Sequence, residues 1–410
     1  MSSEFLPTKL GEVLDFANGK TSPERSNNGR WPVYGSNGII GTADATNSIA
    51  DTIVIGRVGS YCGSVYLSPT QCWVTDNAIR GTAKGNNSAV FLFYLLKHLN
   101  LNNWRSGSGQ PLLNQSILNS IDVYIPEPPE QQEIGTFLSC IDDRIALLRE
   151  TNATLEAIAQ ALFKSWFVDF DPVHARARGE QPAGLAPEVA ALFPDRFEES
   201  ELGMVPKGWR TGAFRDVCVR IESGGTPRRS VPEYWGGGVS WLSSGEVRSP
   251  IVFDTKETIT DLGVKESAAK LWPQGTTVVA MYGATAGEVC LLARPTTANQ
   301  ACCGLIAKPQ ARAFMFMCAR RERAALASKS SGSAQQNLNK GLIESHPLVL
   351  PPIELLSTYE ESAGALLDCW IANDHQAQTL ANLRDTLLPR LISGQLRLPD
   401  AEQQLKDLAV

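Results

Sequence analysis

The sequence predicts an α+β protein in which two repeated globular α/β domains are separated by a pair of long antiparallel helices, a coiled coil with pseudo-two-fold symmetry. Three observations predict it. The stretch RSGSGQPLLNQSILNSIDVYIPEPPEQ (Arg105 to Gln131) returns as KSSGSAQQNLNKGLIESHPLVLPPIEL (Lys329 to Leu355), placing Gln335, Asn339 and Pro351 at a constant offset of 225 from Gln110, Asn114 and Pro126. A run with mostly apolar residues at every seventh position follows each copy. Short β-prone runs separated by Gly, Asn and Ser precede it. A period this long marks duplication of most of a domain, because solenoid units run about 20 to 50 residues.

Taken in order, the first globule covers residues 1–130 and includes DTIVIGRVGSYCGSVYL and QCWVTDNAIRG. The first helix covers 131–168, with Ile134, Ile141, Leu148, Leu155 and Leu162 spaced by seven and Leu138, Ile145 and Trp166 filling a second position of the same seam. Residues 169–207 form a connecting segment rich in Pro, Ala and acid, whose aromatic residues Phe170, Phe193 and Phe197, with Trp209 just beyond, are expected to anchor it. The second globule covers 208–352. Gly59 and Gly63 recur there as Gly283 and Gly287 at offset 224, whereas Leu10–Val13 match Phe214–Val217 at only 204, so this copy carries insertions. The second helix covers 353–394 through Tyr359, Leu366, Asn373, Leu380 and Leu387, and 395–410 is a C-terminal tail. Parallel pairing would crowd both globules at one end. Antiparallel pairing suits the short connections at Pro126 and Pro351. Residues 133–166 would span roughly 50 Å at about 1.5 Å per residue.

Composition sets the class. The 410 residues are 43% hydrophobic and 20% charged, ordinary for a globular protein of two or three domains. No apolar run reaches the roughly 18 residues of a membrane span, and MSSEFLPTKL lacks a charged region followed by an apolar one, so a cytoplasmic location without membrane partners is expected. Nine cysteines without a C-x-x-C pair and four histidines without ligand spacing point to inert thiols rather than disulfides or zinc. The net charge of −6 hides a division. Residues 1–125 hold 9 Lys+Arg against 8 Asp+Glu, 126–207 hold 7 against 15, 208–350 hold 17 against 11, and 351–410 hold 4 against 9. The globules and the helical parts therefore do different work.

No cluster carries catalysis. Asp171-Pro172-Val173-His174 lacks the second proline and the aromatic of an amino-methyltransferase loop, and neither a phosphate loop nor a nucleophile elbow occurs. The repeated stretch offers binding chemistry instead. Ser108, Gln110 and Asn114, preceded by Arg105, recur as Ser333, Gln335 and Asn339, preceded by Lys329, and such amides and hydroxyls in a glycine-rich loop can reach phosphates and base edges. Arg57 before Tyr61, and Arg228 and Arg229 before Tyr234 and Trp235, place cations beside aromatics and complete the candidate DNA-binding set. Taken singly, each loop is an ordinary turn. Recurrence inside two globules, one with a net charge of +6, favours DNA.

The chain resembles the specificity (S) subunit of type I restriction-modification systems over nearly its full length. The resemblance rests on LEAIAQALFKSWFVDFDPV (Leu155 to Val173), ALFPDRFEESELGMVPKGW (Ala191 to Trp209), ESGGTPRRSVPEYWGGGVSWLSSGEV (Glu222 to Val247), TLLPRLISGQLRL (Thr386 to Leu398) and the two opening loops. It implies two target-recognition domains, each reading half of a split double-stranded DNA target, with the helices setting the gap. It also implies no catalysis and no cofactor in this chain. Modification subunits would bring S-adenosylmethionine and methylate adenine, restriction subunits would bring ATP with Mg for translocation and cleavage, and the pseudo-two-fold repetition of the helical seams and the 170–207 connection predicts two modification subunits per chain. Recognition domains differ between members, so no base-reading residue transfers. Two other readings of the duplication are a scaffold or adhesion protein binding protein or glycan, and a fused restriction-methylation enzyme, against which the missing methyltransferase loop counts.

Overall fold

The computed structural model describes residues 5–105, 112–329 and 338–407. The chain divides into two compact units, residues 1–148 with 376–410 and residues 149–375, so the division falls across both long helices and each unit holds one globule.

In the first unit, an antiparallel four-stranded sheet runs in the order Leu14–Asn18, Ala78–Ala83, Thr52–Gly56, Val65–Ser68. A three-stranded sheet places Trp31–Gly35 between Gly38–Ala43, antiparallel, and Trp73–Val74, parallel. Leu6–Lys9 pairs with Asp122–Ile125 and closes the globule beside its exit. Ile53, Ile55 and Ile79 from the sheet, Phe91 and Leu95 from the helix Ala89–His98, and Leu118 form one core, into which Ile134, Leu138, Leu387 and Leu391 of the long helices also pack. Globule and helix are joined by the buried Gln131, whose amide donates to the Pro126 carbonyl (2.9 Å) and Asn87 Oδ1 (3.0 Å) while its oxygen accepts from the Ser88 N–H (3.1 Å).

The second unit repeats the order. Cys218–Ser223, Cys302–Ala307, Thr277–Ala280 and Val289–Leu292 take the four places of the first sheet, and Ile251–Val252, from the inserted stretch, adds a fifth strand. Trp235–Leu242 lies between Glu257–Ile259, antiparallel, and Thr297–Ala298, parallel, as in the first copy. The offset of 204 is explained at the start of each globule: Leu10–Val13 and Phe214–Val217 are both short helices, in which Glu12 and Asp216 reach back to accept the N–H of Lys9 (3.4 Å) and Ala213 (2.7 Å). Of the expected anchors, Phe193 and Trp209 are buried in the core of this unit, with Phe193 edge-on to Trp166 at 5.2 Å and Phe170 edge-on to Trp209 at 5.6 Å.

The first long helix is Pro128–Phe167, its two prolines in the first turn, where no intrahelical N–H is required. The second is Ile353–Tyr359, a π-helical turn Glu360–Gly364, and Ala365–Ile392. Beside the wider turn the buried stripe leaves the sevenfold series locally: Ala363, Leu367 and Trp370 are buried while Leu366 and Asn373 are half-exposed, and the series is buried again at Leu380 and Leu387. Pairing is antiparallel within each unit. In the first, Ile141, Ile145 and Leu148 cluster with Ala377 and Leu380, Arg144 donates to Gln376 (3.4 Å), and Arg384 pairs with Asp142. In the second, Asn152 meets Trp370 and Asp374, and the Tyr359 hydroxyl donates to the Ala159 carbonyl (3.5 Å). Residues 395–410, expected as a tail, include a helix, Leu398–Asp407. Ala401 is buried in the first unit's core and Leu405 packs on the helix pair, an apolar face three to four residues apart. Among the described residues, no helix is long and apolar enough to cross a membrane.

Candidate nucleic-acid interface

The repeated loops sit on equivalent scaffolds. In the first unit Thr52–Gly56 leads into a tight turn, Gly59–Tyr61, and in the second Thr277–Ala280 leads into Gly283–Thr285. The recurring glycines are required there. Gly63 and Gly287 have φ of +89° and +84°, and a Cβ would lie 2.8 Å from Asn102 N and from the Arg323 carbonyl, respectively.

The first unit brings several of the expected residues together. The Arg57 carbonyl accepts from the Leu113 N–H (3.1 Å) and Val58 bridges to Leu112, so the far end of the Arg105–Asn114 stretch is stitched to the turn carrying Arg57 and Tyr61. Tyr61 is 52% exposed. Arg57 is half-buried; its Nη1 reaches the Asp76 carbonyl at 3.5 Å, and its Nε is buried without an acceptor among the described residues. Arg105 is exposed, next to the exposed Trp104, which the sequence reading passed over. Ser108 and Gln110, with Ser333 and Gln335 in the second copy, lie outside the described residues.

Asn114 and Asn339 have a local task. Each is the N-cap of a short helix, Gln115–Ser120 or Lys340–Glu344, with nearly identical backbone angles (φ −134° in both). Asn114 Oδ1 accepts from the Ile117 N–H at 2.9 Å and Asn339 Oδ1 from the Leu342 N–H at 3.0 Å. The recurrence of asparagine is therefore explained by capping, and only the Nδ2 group is left to face a ligand.

Two of the expected cations are held by partners in the second unit. Lys329 Nζ donates to His346 Nδ1 (2.8 Å), and the buried His346 turns Nε2 to Glu322 (3.1 Å), a tautomer in which Nε2 carries the proton. The bond from His346 holds the Glu322 carboxyl below its usual range against the opposing effect of burial. Lys329 thereby links the helical segment before the second loop to the residue that enters Pro347–Leu350. Arg229 makes a fork to both Glu257 oxygens and lies over the rings of Trp235 (3.8 Å) and Trp241 (4.9 Å), so it, too, is engaged in the fold. Its counterpart at offset 204, Arg25, donates to the Ile40 carbonyl (2.9 Å) on the equivalent strand, a correspondence visible only once insertions are placed. Arg228 is exposed and makes no ion pair among the described residues.

Seven of the nine cysteines are buried, and burial pushes the Cys218, Cys303 and Cys318 thiols up to about 12. They are poor ligands and nucleophiles at neutral pH.

The family model for the type I restriction modification DNA specificity domain matches residues 3–157 and 206–355, once on each globule. The chain belongs to this specificity-domain family. It is 28% identical over 335 residues to the type I restriction enzyme HindI specificity subunit of Haemophilus influenzae, covering 71% of this chain and 72% of that protein. It is 25% identical over 319 residues to the MjaIX specificity subunit of Methanocaldococcus jannaschii, covering 76% and 69%. In fold it matches the type I restriction-modification S subunit from M. genitalium with a TM-score of 0.70 at 14% identity, covering 95% and 96%. Within the specificity family, the doubled match accounts for the 225-residue repeat.

Proposed function

We propose that this chain is the non-catalytic specificity subunit of a type I restriction-modification system, that each globule reads one half of a bipartite, asymmetric duplex target, and that the paired helices set the unread gap. The observation that carries this reading is the doubled match to a DNA specificity domain, with equivalent turns and caps in both copies. Arg105, Arg57, Tyr61 and Arg228, with the loop residues Ser108, Gln110, Ser333 and Gln335, are the side chains we assign to DNA. Arg105 and Arg228 suit phosphate contact, which positions the protein, while amides and hydroxyls suit base edges. The modest basicity of the first globule leaves part of the electrostatic attraction to partners. Two modification subunits using S-adenosylmethionine, and restriction subunits using ATP with Mg, are the partners this reading requires. Selection from a random duplex pool, by the chain assembled with its modification subunits, tests it. Two short conserved blocks separated by a constant unread gap are expected. Enrichment of one continuous block, or of none, overturns the reading.

A further inference from the structure

The second position of the seam on the first long helix, read at every seventh residue, is Leu138, Ile145, Asn152, Ala159 and Trp166, and all five are buried. One of them is polar. The sevenfold series of the second helix, Tyr359, Leu366, Asn373, Leu380 and Leu387, has one amide as well. In the second unit these two side chains meet: Asn373 Nδ2 donates to Asn152 Oδ1 at 3.0 Å, and Asn152 Nδ2 reaches the Trp370 carbonyl and Asp374 Oδ1, each at 3.4 Å. Asn152 is 5% exposed, so solvent offers its amide little replacement for these partners.

The repeat does not demand this pair. At offset 225 the equivalents of Asn152 and Asn373 are Ala377 and Leu148, which lie in one apolar cluster of the first unit. Duplication thus supplies a hydrocarbon solution at the corresponding place, and the amides are an additional feature of one half. Apolar burial is non-directional, so a seam of leucines tolerates small slides and rotations. A hydrogen bond of about 3 Å does not, because it weakens steeply with misalignment. Displacing the helices along the seam would set the Asn152 amide against Leu366 or Leu380 and leave it buried without partners, a costly state. A single buried asparagine in a coiled-coil seam characteristically selects one register at some expense of stability.

We infer that Asn152 and Asn373 are positioning residues that lock the register of the spacer helices and thereby make the chain strict about the gap between its half-sites. The inference rests on the bipartite reading above. It assigns gap strictness to one polar contact rather than to helix length alone.

The test uses the full chain with its modification subunits in a host without other adenine methylation, with methylated sites mapped across the genome. The Asn152→Leu/Asn373→Leu variant should fold with an unchanged or raised melting temperature and methylate the same two half-sites. Gaps one base pair longer and shorter should be used at least tenfold more than in the wild type. Adding Leu148→Asn and Ala377→Asn, which moves the polar pair to its repeat-related position, should restore strictness. A merely structural contact would change melting and leave the gap alone. If the leucine pair does not yield soluble protein, Asn373→Ala, which removes one bond and keeps the Asn152 contacts to Trp370 and Asp374, is read in the same way. A folded variant as strict as the wild type overturns the proposal by itself. A wild type without a two-part motif removes the bipartite reading, and this inference with it.

Discussion

The capping asparagines separate the architecture of the repeated loop from its reading of DNA, and a pair of substitutions at each tells them apart. Asn114→Ala removes the acceptor for the Ile117 N–H, a bond of 2.9 Å at the first turn of a six-residue helix whose Leu118 is fully buried. Loss of such a cap costs about 1 kcal/mol, which lowers the melting temperature of the unit carrying it by about 2–4 °C. Asn114→Asp keeps the acceptor, and a carboxylate suits a helix N-terminus, so stability should be retained. It also replaces the Nδ2 donor by an anionic oxygen, which would repel a phosphate or a base acceptor. Thermal unfolding followed by circular dichroism, together with methylation mapping, should show a lowered melting temperature for the alanine variant, and native stability with an unchanged target for the aspartate variant. The same pair at Asn339 should behave alike. An alanine variant as stable as the wild type would refute the cap argument. An aspartate variant with native stability but an altered half-site would show that Nδ2 reads DNA.

Two further outcomes follow from buried charge. Burial raises the Asp374 carboxyl against the opposing hydrogen bond from Asn152 and the charge of Arg149, so its ionisation disfavours folding, and the stability lost as pH rises through its folded value should be recovered by Asp374→Asn. That variant should melt higher than the wild type at neutral pH and equally at low pH; equal melting at both would count against it. Glu322 is shifted the other way, chiefly by its bond from His346, so its contribution is present above its unfolded value and lost as pH falls through the lower folded one. Glu322→Gln should therefore flatten the acid limb of the stability profile of the second unit, and an unchanged limb would show that the Glu322–His346–Lys329 chain contributes nothing.

Periodic features of the fold were legible in the sequence because they repeat. The constant offset exposed the duplication, and the sevenfold series exposed both helices, since a seam must return to one face. The π turn at Glu360–Gly364 was not legible, because no local residue pattern announces it, and beside it the buried stripe leaves the series locally for Leu367 and Trp370. The C-terminal helix was missed because three apolar residues, Leu398, Ala401 and Leu405, form too short a pattern. At the candidate interface, residue type suggested contact with DNA equally for Arg228 and Arg229, and both are exposed, yet Arg229 is bound to Glu257 across 28 positions of sequence while Arg228 makes no ion pair among the described residues. Lys329 and His346 show the same effect across 17 positions. Long-range partners decide whether a cation is free, and spacing along the chain does not reveal them.

The central claim is that this chain alone chooses the DNA sequence on which its partners act. The most direct measurement is a genome-wide map of methylated adenines in cells carrying the modification subunits, with and without this chain. The account predicts a single two-part motif, with a fixed unread gap, that is methylated when the chain is present and unmethylated when it is removed. Methylation of the same motif in its absence would contradict the account.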